Sequence, residues 1–411
     1  MPEYARKSVM MYALSLYAGR GYMLDKRSLL CYIDSMDRIA YIEEKLRCWN
    51  LLSRFRGMLE DKLADHPLSK TQLDPRRKLG CLDYYSSILF STLNPVIDSM
   101  RGFCRASELE KVQNKVCSSK ISLGSFSEAQ SVFDPKLLEQ VLEEMASQVD
   151  LGGVDERLRN LPKELTAIDG TLIPALPRMA WALWGKEGCQ AAKLHLKFSV
   201  ERQSVSNSIL TTGKTCERKT LRKMIDPDEL LVGDRYYGLD YQFLIELLAR
   251  KQWFIFRIRN DANVTIVEEF ALTDEDREAG VVFDGLVRLG NDWHGKPIRL
   301  VKLEALDTTL LLAVGVDRET MSAELVGLAY RYRWQIELFF KWIKCILKCR
   351  HLLAESPQGV QIQLYCALIA AMMLFALTGR KPTKRDMEMI QFYFSGLATF
   401  EELEHSLKIS P

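Results

Sequence analysis

The order of strands and helices between residues 161 and 260 limits most strongly what this chain can fold into. Hydrophobic patterns and turn residues predict three strands in succession, then a strand after a short basic helix, and a last strand after a second helix. Three meandering strands followed by helix-linked strands indicate a mixed α/β sheet covered by helices. The predicted strands lie in the segments LTAIDGTLI, AAKLHLKFSV, SVSNSILTTG, DELLVGDRYYG and WFIFRIRN.

The segments around this predicted sheet have different patterns. Residues 1–80 and 81–160 show helical periodicity, so we expect an all-helical region before the sheet. Residues 261–315 contain β-rich segments with Gly and Asp turns, which we interpret as an inserted β subdomain. The core resumes over residues 316–378, and residues 379–411 read as a charged helical tail.

Composition restricts the class of protein and the kind of partner. The chain has 411 residues, 47% hydrophobic and 27% charged, which excludes a disordered chain and allows two or three domains. The net charge is only +2, but residues 178–223 hold ten Lys/Arg against three Asp/Glu. Residues 331–350 hold six Lys/Arg against Glu337 alone. Two basic segments in a near-neutral chain indicate a localised anionic partner, the alternative being a solvated basic face.

The cysteines and the apolar segments bear on cellular location. Ten cysteines are scattered along the chain without a C-x-x-C pair, which is typical of reduced thiols in a cytosolic protein. The apolar run at residues 364–377 is too short to span a bilayer and reads as a buried helix. We therefore expect a cytoplasmic protein without a membrane partner.

A single helix is predicted over residues 328–350, LAYRYRWQIELFFKWIKCILKCR. Tyr330, Arg333, Glu337 and Lys344 fall within an arc of about 60° on its helical wheel, while apolar residues fill much of the rest. Such a helix would be buried on most sides and present one polar stripe. The alternative is a partly solvated face in which Arg and Lys lie at helical spacing from the carboxylate.

Two further carboxylates are predicted at strand ends. Asp169 follows the strand segment 165–168 in an Asp-Gly turn, and Asp234 follows the buried strand at 229–232. Either residue alone is a common turn or strand-ending residue. Together with Glu337 they form an oxygen-only set that favours hard ions such as Mg²⁺ or Mn²⁺. Two such ions about 3.5–4 Å apart can activate an attacking oxygen and stabilise a leaving one in phosphoryl transfer.

This set of residues resembles the DD-E transposases, whose catalytic core is ribonuclease-H-like. The spacing Tyr330-x2-Arg333-x3-Glu337-x6-Lys344 is similar to the Y-R-E-K signature of family four of the bacterial insertion-sequence transposases. The resemblance also includes AIDGT, KLHLKF and VGDRYY in that order, and the β insertion between the second Asp and the Glu. It covers roughly residues 90–378.

The resemblance implies a role for each residue of the set. Asp169, Asp234 and Glu337 would bind two divalent ions, Mg²⁺ or in its place Mn²⁺. Other side chains would contact DNA, above all by holding phosphates of the transposon end. The resemblance implies such contacts for Tyr330, Arg333, Lys344, Trp334 and Trp293. We add Arg235, which follows Asp234, and Lys341, which lies beside the polar stripe on the helical wheel.

The family also suggests a reaction path. Members cut DNA with metal-activated water and join the freed 3′-hydroxyl to target DNA, and some form a hairpin with a flipped base stacked on a Trp. Trp293 lies in the predicted insertion and Trp334 in the signature helix, so both are candidates. Tyr236 and Tyr237 follow Arg235 where some members have Glu-Met. The sequence therefore does not determine whether a DNA hairpin is formed.

The expected function is therefore cut-and-paste DNA transposition. Residues 1–80 would recognise transposon ends, and a homodimer would bring two ends and a target DNA together in the cytoplasm, at the nucleoid. One alternative is a nuclease on the same core that does not transfer strands. The other is a domesticated, non-catalytic DNA-binding protein, against which the presence of all three carboxylates argues.

Overall fold

Nine strands form one continuous mixed sheet in the computed structural model of the chain. Their order across the sheet is β3-β2-β1-β4-β5-β9-β8-β7-β6. The strands are β1 Glu164–Pro174, β2 Ala191–Ser199, β3 Ser204–Thr212, β4 Glu229–Gly233, β5 Trp253–Arg257, β6 Val264–Glu269, β7 Val281–Leu289, β8 Ile298–Ala305 and β9 Thr308–Val314.

Sixteen helices lie within the described residues, which are 49–66, 74–175, 179, 181–182, 190–305, 308–346, 352–394 and 397–407. Residues 1–48, most of the predicted N-terminal region, lie outside these ranges. The helices are α1 Trp49–Asp65, α2 Cys81–Leu93, α3 Met100–Ala106, α4 Glu110–Lys115, α5 Leu123–Val132, α6 Lys136–Ser147, α7 Glu156–Arg159, α8 Glu217–Leu221, α9 Arg235–Gly238, α10 Tyr241–Ala249, α11 Asp274–Glu278, α12 Ala323–Tyr332, α13 Trp334–Ile346, α14 Pro357–Thr378, α15 Lys384–Phe394 and α16 Phe400–Leu407.

The first half of the sheet has the predicted order of elements. Strands β1, β2 and β3 meander antiparallel, and β4 then pairs parallel with β1 after the short helix α8. Strand β5 pairs parallel with β4 after α10. A parallel neighbour needs a crossover connection, and here those crossovers are helical. The prediction of a mixed α/β sheet flanked by helices is confirmed.

The β-rich segment extends this sheet. Strands β6 to β9 pair antiparallel with one another, and β9 pairs with β5, placing Ile255 opposite Val314. The sequence patterns did not indicate this edge-to-edge pairing, because pairing between residues 59 positions apart depends on register and not on local periodicity. The boundaries proposed for an inserted subdomain stay a prediction.

The two faces of the sheet bury different helices. Leu165, Ala167, Leu230, Val232 and Ile255 lie in one apolar cluster together with side chains of α12, α13 and α14. The residues between them in the strands, among them Ile168, Leu231 and Phe256, lie in a second cluster with side chains of α8, α9 and α10. Because strand side chains alternate between faces, the clusters identify the face of every residue in these strands.

Helix α14 packs against α2 and α6 at the centre of the larger cluster. It is longer than the apolar run 364–377 that the sequence analysis singled out, so its length and composition alone would allow it to cross a membrane. It is the one such helix in the described ranges, and 89% of its apolar window is buried inside the protein. A core helix has the same composition, and the burial matches that interpretation.

A buried ion network fixes the start of α12. The Asp284 carboxylate accepts from the Arg299 Nε at 2.8 Å and also pairs with Arg318, which in turn pairs with Asp276 at 2.6 Å. Asp276 Oδ1 accepts from the backbone N–H of Glu324, in the first turn of α12. Strand β7, strand β8 and the loop before α12 are thereby joined at the end of the helix that leads into the candidate site.

Candidate active site

Asp169 and Asp234 lie side by side on neighbouring strands. The parallel register of β1 and β4 pairs Ala167 with Val232. Each aspartate lies two residues after its member of this pair, so the two aspartates lie opposite each other in one line across the strands. Ala167 and Val232 face helices α12 to α14, and residues two positions on share that face. The two carboxylates therefore point toward α12 and α13 across a strand spacing of about 4.8 Å.

The environment of Asp169 differs from the predicted turn. Strand β1 continues through the Asp-Gly step to Pro174, because β2 keeps pairing with it on the other side and places Leu196 opposite Asp169. The prediction that the strand ends at residue 168 was wrong. Asp234 does follow the end of β4, where its carboxylate caps α9 by accepting from the backbone N–H of Tyr236 at 2.9 Å.

Burial and neighbouring charges act on the Asp169 carboxyl. Burial, together with the negative charges of Asp234 and Glu217, raises its pKa to about 7. The N–H of Gly170 and the positive charge of Arg333 act in the opposite direction. Asp169, Asp234, Glu217 and Arg333 thus share one electrostatic environment, with carboxylates crowded at its centre.

The predicted single helix at residues 328–350 is two helices joined at Arg333. Helix α12 ends at Tyr332 and α13 begins at Trp334. The Arg333 N–H donates to the carbonyl of Tyr330, three residues back instead of four, so the joint is a tight turn. The continuous helix was a wrong prediction within the described residues, while residues 347–350 lie outside them.

The joint places the Arg333 guanidinium between two other predicted site residues. It forms an ion pair with Glu337 and lies over the Tyr330 ring at 5.6 Å from the centroid. Burial opposes the charge on Arg333, but the hydrogen bond to Glu337 and the charges of Tyr330, Glu337 and Asp169 keep its pKa raised. Burial likewise raises the pKa of Tyr330, which is only 9% exposed.

Lys344 connects the end of α13 to strand β1. Its ammonium donates to the hydroxyl of Thr171, which lies two residues after Asp169 and so on the same face of the sheet. Phe339, one turn earlier on α13, contacts Phe198 of β2 with ring centroids 5.0 Å apart. These contacts hold α13 across β1. Lys341 of α13 and Arg235, the first residue of α9, are exposed.

Glu217 is a fourth carboxylate of the site that sequence reasoning missed. It approaches from the other face of the sheet, so close that a Cβ on Gly170 would lie 2.9 Å from its Cδ. Lys193 pairs with it at 3.2 Å. Burial raises the pKa of Glu217, Lys193 lowers it, and Asp234 raises it further. The basic segment around Glu217 hid its role, since four of the six residues that follow it are cations.

The two candidate tryptophans have opposite environments. Trp334 is 54% exposed at the start of α13, next to Arg333. Trp293 is 8% exposed, its Nε1–H donates to the Lys296 carbonyl, and its ring meets the edge of Tyr241. The indole of Trp334 is therefore available for stacking as it stands, whereas Trp293 would first have to leave a packed position.

Much of the first basic segment is compensated inside the protein, contrary to the expectation of a surface for an anionic partner. Lys197, for example, is 4% exposed and pairs with the Glu229 carboxylate at 2.5 Å. Periodicity could not reveal these partners, because they lie on other strands and helices. The ion pairs of the segment are Lys193–Glu217, Lys197–Glu229, Arg202–Glu164, Arg218–Asp240 and Arg222–Glu246.

The donor chemistry of the site fits a hard divalent cation. In the described ranges no three His, Cys, Asp or Glu side chains lie close enough together to hold a metal ion, and Glu337 is instead paired with Arg333. Asp169 and Asp234 nevertheless offer oxygen ligands on one line of the sheet, and their mutual repulsion is what a bound cation relieves. Glu337 lies on the helix that faces them.

Comparisons with known proteins agree with one another. The family described as "Transposase DDE domain" matches residues 160–373. A probable transposase for insertion sequence element IS5377 from Geobacillus stearothermophilus is 28% identical over 264 residues, 58% of this chain and 65% of the relative. A putative transposase y4zB from Sinorhizobium fredii is 25% identical over 215 residues, 51% of this chain and 60% of the relative. The chain thus spans less than two thirds of the length of either relative.

One solved structure is also similar. The cryo-EM structure of the piggyBac transposase synaptic complex with hairpin DNA covers 89% of this chain and 85% of its own, with a TM-score of 0.39 and 10% sequence identity. The family match alone spans just over half of the chain and includes Asp169, Asp234 and Glu337. The chain therefore belongs to the family of proteins with a transposase DDE domain.

Proposed function

We propose that this protein is a DNA transposase that excises an insertion sequence and joins it to target DNA. The observation that supports this most is the line of Asp169 and Asp234 across β1 and β4, facing the joint that bears the Arg333–Glu337 pair. Carboxylates on one side and cations on the other are what hydrolysis and transfer of a phosphodiester require.

The finer assignment is a ribonuclease-H-like core of family-four type. The strand order β3-β2-β1-β4-β5 supports it, because three meandering strands lead into two helix-linked parallel ones. The Y-R-E-K spacing supports the family, since Arg333 lies over the Tyr330 ring and pairs with Glu337.

DDE transposases use divalent metal ions, and Asp169, Asp234 and Glu337 would hold two of them here, as Mg²⁺ or Mn²⁺. Bound ions would supply activation of the attacking water and stabilisation of the leaving oxygen. Glu337 can turn toward the aspartates once its partner Arg333 has another anion to bind. We propose that a DNA phosphate is that anion.

The other side chains of the site position the DNA. Arg333 has a planar fork of donors that suits a phosphate, and its Nε is buried without a hydrogen-bond partner while it is paired with Glu337. Tyr330 and Lys344 add a hydroxyl and an ammonium on the same side. Trp334 offers an exposed ring on which an unpaired base could stack.

The partners follow from this reaction. Two transposon ends and a target DNA have to meet, and a homodimer would give each end its own active site. Residues 1–80 would recognise the end sequences, and Lys341 and Arg235 would contact the flanking backbone, where both side chains are exposed. Such a protein would act in the cytoplasm, at the nucleoid.

A transposition assay tests the proposal. A supercoiled donor plasmid would contain the gene with its flanking DNA, and a second plasmid would serve as target, with Mg²⁺ present. Wild type should release the element and produce joined products. Glu337→Gln should still bind the ends but lose cutting by at least about 10³-fold, or about 4 kcal/mol.

The same assay separates the alternatives. Glu128→Gln is a matched control, because Glu128 is an exposed carboxylate on α5 whose only described ion pair is with Arg77. Nicking by wild type without joined products would favour a nuclease without strand transfer. Binding by wild type without any cutting would favour a non-catalytic DNA-binding protein. Equal cutting by wild type and the Glu337 variant would refute the proposed site.

A further inference from the structure

Arg257 continues the line of the two aspartates onto the next strand. The parallel register of β4 and β5 pairs Gly233 with Phe256, so Arg257 lies beside Asp234 one residue later. Its other neighbour is Leu312 of β9, with which it pairs directly. Asp169, Asp234 and Arg257 thus occupy neighbouring positions on three adjacent strands.

The side chain of Arg257 faces the same helices as the aspartates. Ile255, two residues earlier, and Leu312, its cross-strand partner, both lie in the apolar cluster on the α12 and α13 side of the sheet. The positive charge of Arg257 acts on Tyr330, the last residue but two of α12. Arg257 and Tyr330 are therefore neighbours across the space in front of Asp234.

This guanidinium has no compensating partner in the described part of the chain. It forms no ion pair there, and its Nε is enclosed without a hydrogen bond. The two terminal nitrogens are not enclosed and open toward solvent. A half-buried guanidinium with an enclosed, unsatisfied donor costs free energy, which an anion bound at the open nitrogens would offset. Arg259, two residues on, is exposed and already paired with Asp261.

We propose that Arg257 binds a DNA backbone phosphate that flanks the bond to be cut. The inference rests on the proposed function of the site and assigns to it a cation outside the Y-R-E-K residues. The planar fork of the guanidinium binds two phosphate oxygens at once, one strand spacing from Asp234. Arg257 is a positioning residue: it fixes the backbone so that the neighbouring phosphodiester lies in front of Asp169 and Asp234.

Salt dependence of DNA binding is the first test. We expect Arg257→Met to weaken binding of a duplex from the flanking end of the element at least about tenfold at low salt, or about 1.4 kcal/mol. The negative slope of log affinity against log salt should become shallower by about 0.9, the value for one lost phosphate contact. Arg259→Met is the matched control and should change neither quantity, because Asp261 already neutralises it.

A modified backbone locates the contact. Duplexes with one neutral methylphosphonate, placed at each position around the cleavage site, should include one that weakens wild type as much as Arg257→Met does. That duplex should not weaken Arg257→Met further. Arg257→Lys should recover the salt slope but only part of the affinity, since an ammonium cannot bind two oxygens in a fork.

Folding and the proposed function are controlled separately. Because Arg257 is uncompensated, Arg257→Met should leave the urea midpoint unchanged or raise it, whereas a structural role would lower it. Equal salt slopes for wild type and Arg257→Met would overturn the inference, and so would a lowered midpoint with unchanged slope. The slope is measured from binding alone, so it remains decisive even if wild type fails to cut and the transposase proposal falls.

Discussion

Arg333, at the joint between α12 and α13, forms an ion pair with Glu337, four residues later in α13. The proposed phosphate ligand and the proposed third metal ligand are therefore each other's partner in the chain without DNA. Their side chains are 14% and 32% exposed, so water screens the pair in part. This relationship separates what the pair contributes to stability from what it contributes to DNA binding.

Arg333→Ala should change stability little and DNA binding strongly. A partly exposed i,i+4 pair is worth about 0.3–0.5 kcal/mol, so the urea midpoint should barely move. The loss of one bidentate phosphate contact should weaken binding of an end duplex at least about tenfold. Arg331→Ala is the control, because Arg331 is exposed and lies two residues away. Equal effects of the two substitutions on binding would contradict the phosphate role of Arg333.

Trp334→Ala and Trp293→Ala should have opposite consequences. Trp334 is 54% exposed, and its loss should cost about 1–3 kcal/mol of affinity for DNA with unpaired bases at the end, with normal stability. Trp293 is 8% exposed, and its loss should cost about 3–5 kcal/mol of unfolding free energy. Chemical denaturation and fluorescence-based binding measure both. A stable Trp293→Ala protein that has lost end binding would instead assign the stacking role to Trp293.

Gly170→Ala should act through Glu217. The new methyl group would lie 2.9 Å from the Glu217 Cδ and displace that carboxylate from Lys193. We expect a loss of about 1 kcal/mol in unfolding free energy, since the displaced group is the end of a flexible side chain. In a Glu217→Ala background the same substitution should be nearly neutral. If Gly170→Ala costs as much in both backgrounds, Glu217 is not what excludes a side chain at position 170.

His195 should make the protein less stable at mildly acid pH. Burial, together with the charge of Lys193, lowers its pKa to about 4, so the folded protein keeps the imidazole neutral while the unfolded chain protonates near pH 6.5. The unfolded state therefore binds more protons between about pH 4 and 6.5, and stability rises with pH across that window. At pH 5 the loss relative to pH 8 should be about 2 kcal/mol from this residue.

A glutamine variant tests this assignment. His195 accepts or donates a 2.8 Å hydrogen bond with the Thr211 hydroxyl, which a Gln side chain can retain without titrating. Urea unfolding of wild type and His195→Gln at pH 5 and pH 8 gives the difference directly. The difference in unfolding free energy between the two proteins should shift by about 2 kcal/mol in favour of the variant between pH 8 and pH 5. A difference that does not depend on pH would show that His195 does not titrate in this range.

Asp284→Asn should destabilise the protein strongly, although Asp284 lies away from the carboxylate line. Its carboxylate is fully buried between Arg299 and Arg318, so neutralising it leaves the two guanidinium groups without enough negative charge to compensate them. We expect a loss of about 3–5 kcal/mol in unfolding free energy. Asp292→Asn, at an exposed position before Trp293, should change it by less than about 0.5 kcal/mol. Comparable losses from the two substitutions would contradict the network.

The network also bears on the candidate site. Through Arg318 and Asp276 it fixes the first turn of α12, the helix that leads to Tyr330 and Arg333. A milder variant, Arg318→Lys, should therefore reduce DNA cutting more than its small effect on the urea midpoint would suggest. Proportionate losses of stability and cutting would limit the network to a structural role.

Local patterns in the sequence were sufficient for the order of elements and for the residues of the signature. Alternation, turn residues and helical spacing depend on neighbours within a few positions, which is why β1 to β5, Asp234 and the Tyr330–Glu337 spacing could be predicted. The predicted end of the first strand failed because β2 supports β1 beyond Asp169. The helix joint at Arg333 was missed since a change from i−4 to i−3 bonding leaves little trace in periodicity.

Strand register and packing, which exist only in the tertiary structure, determined the rest. Register places Arg257 beside Asp234, and the packing of α8 brings Glu217 against Gly170. The same long-range contacts pair five of the ten cations of the first basic segment with carboxylates on other elements. The sequence by itself determined which residues are available for chemistry. Only the fold determined which of their charges are compensated and which remain available to an anionic partner, because compensation depends on residues far apart in the chain.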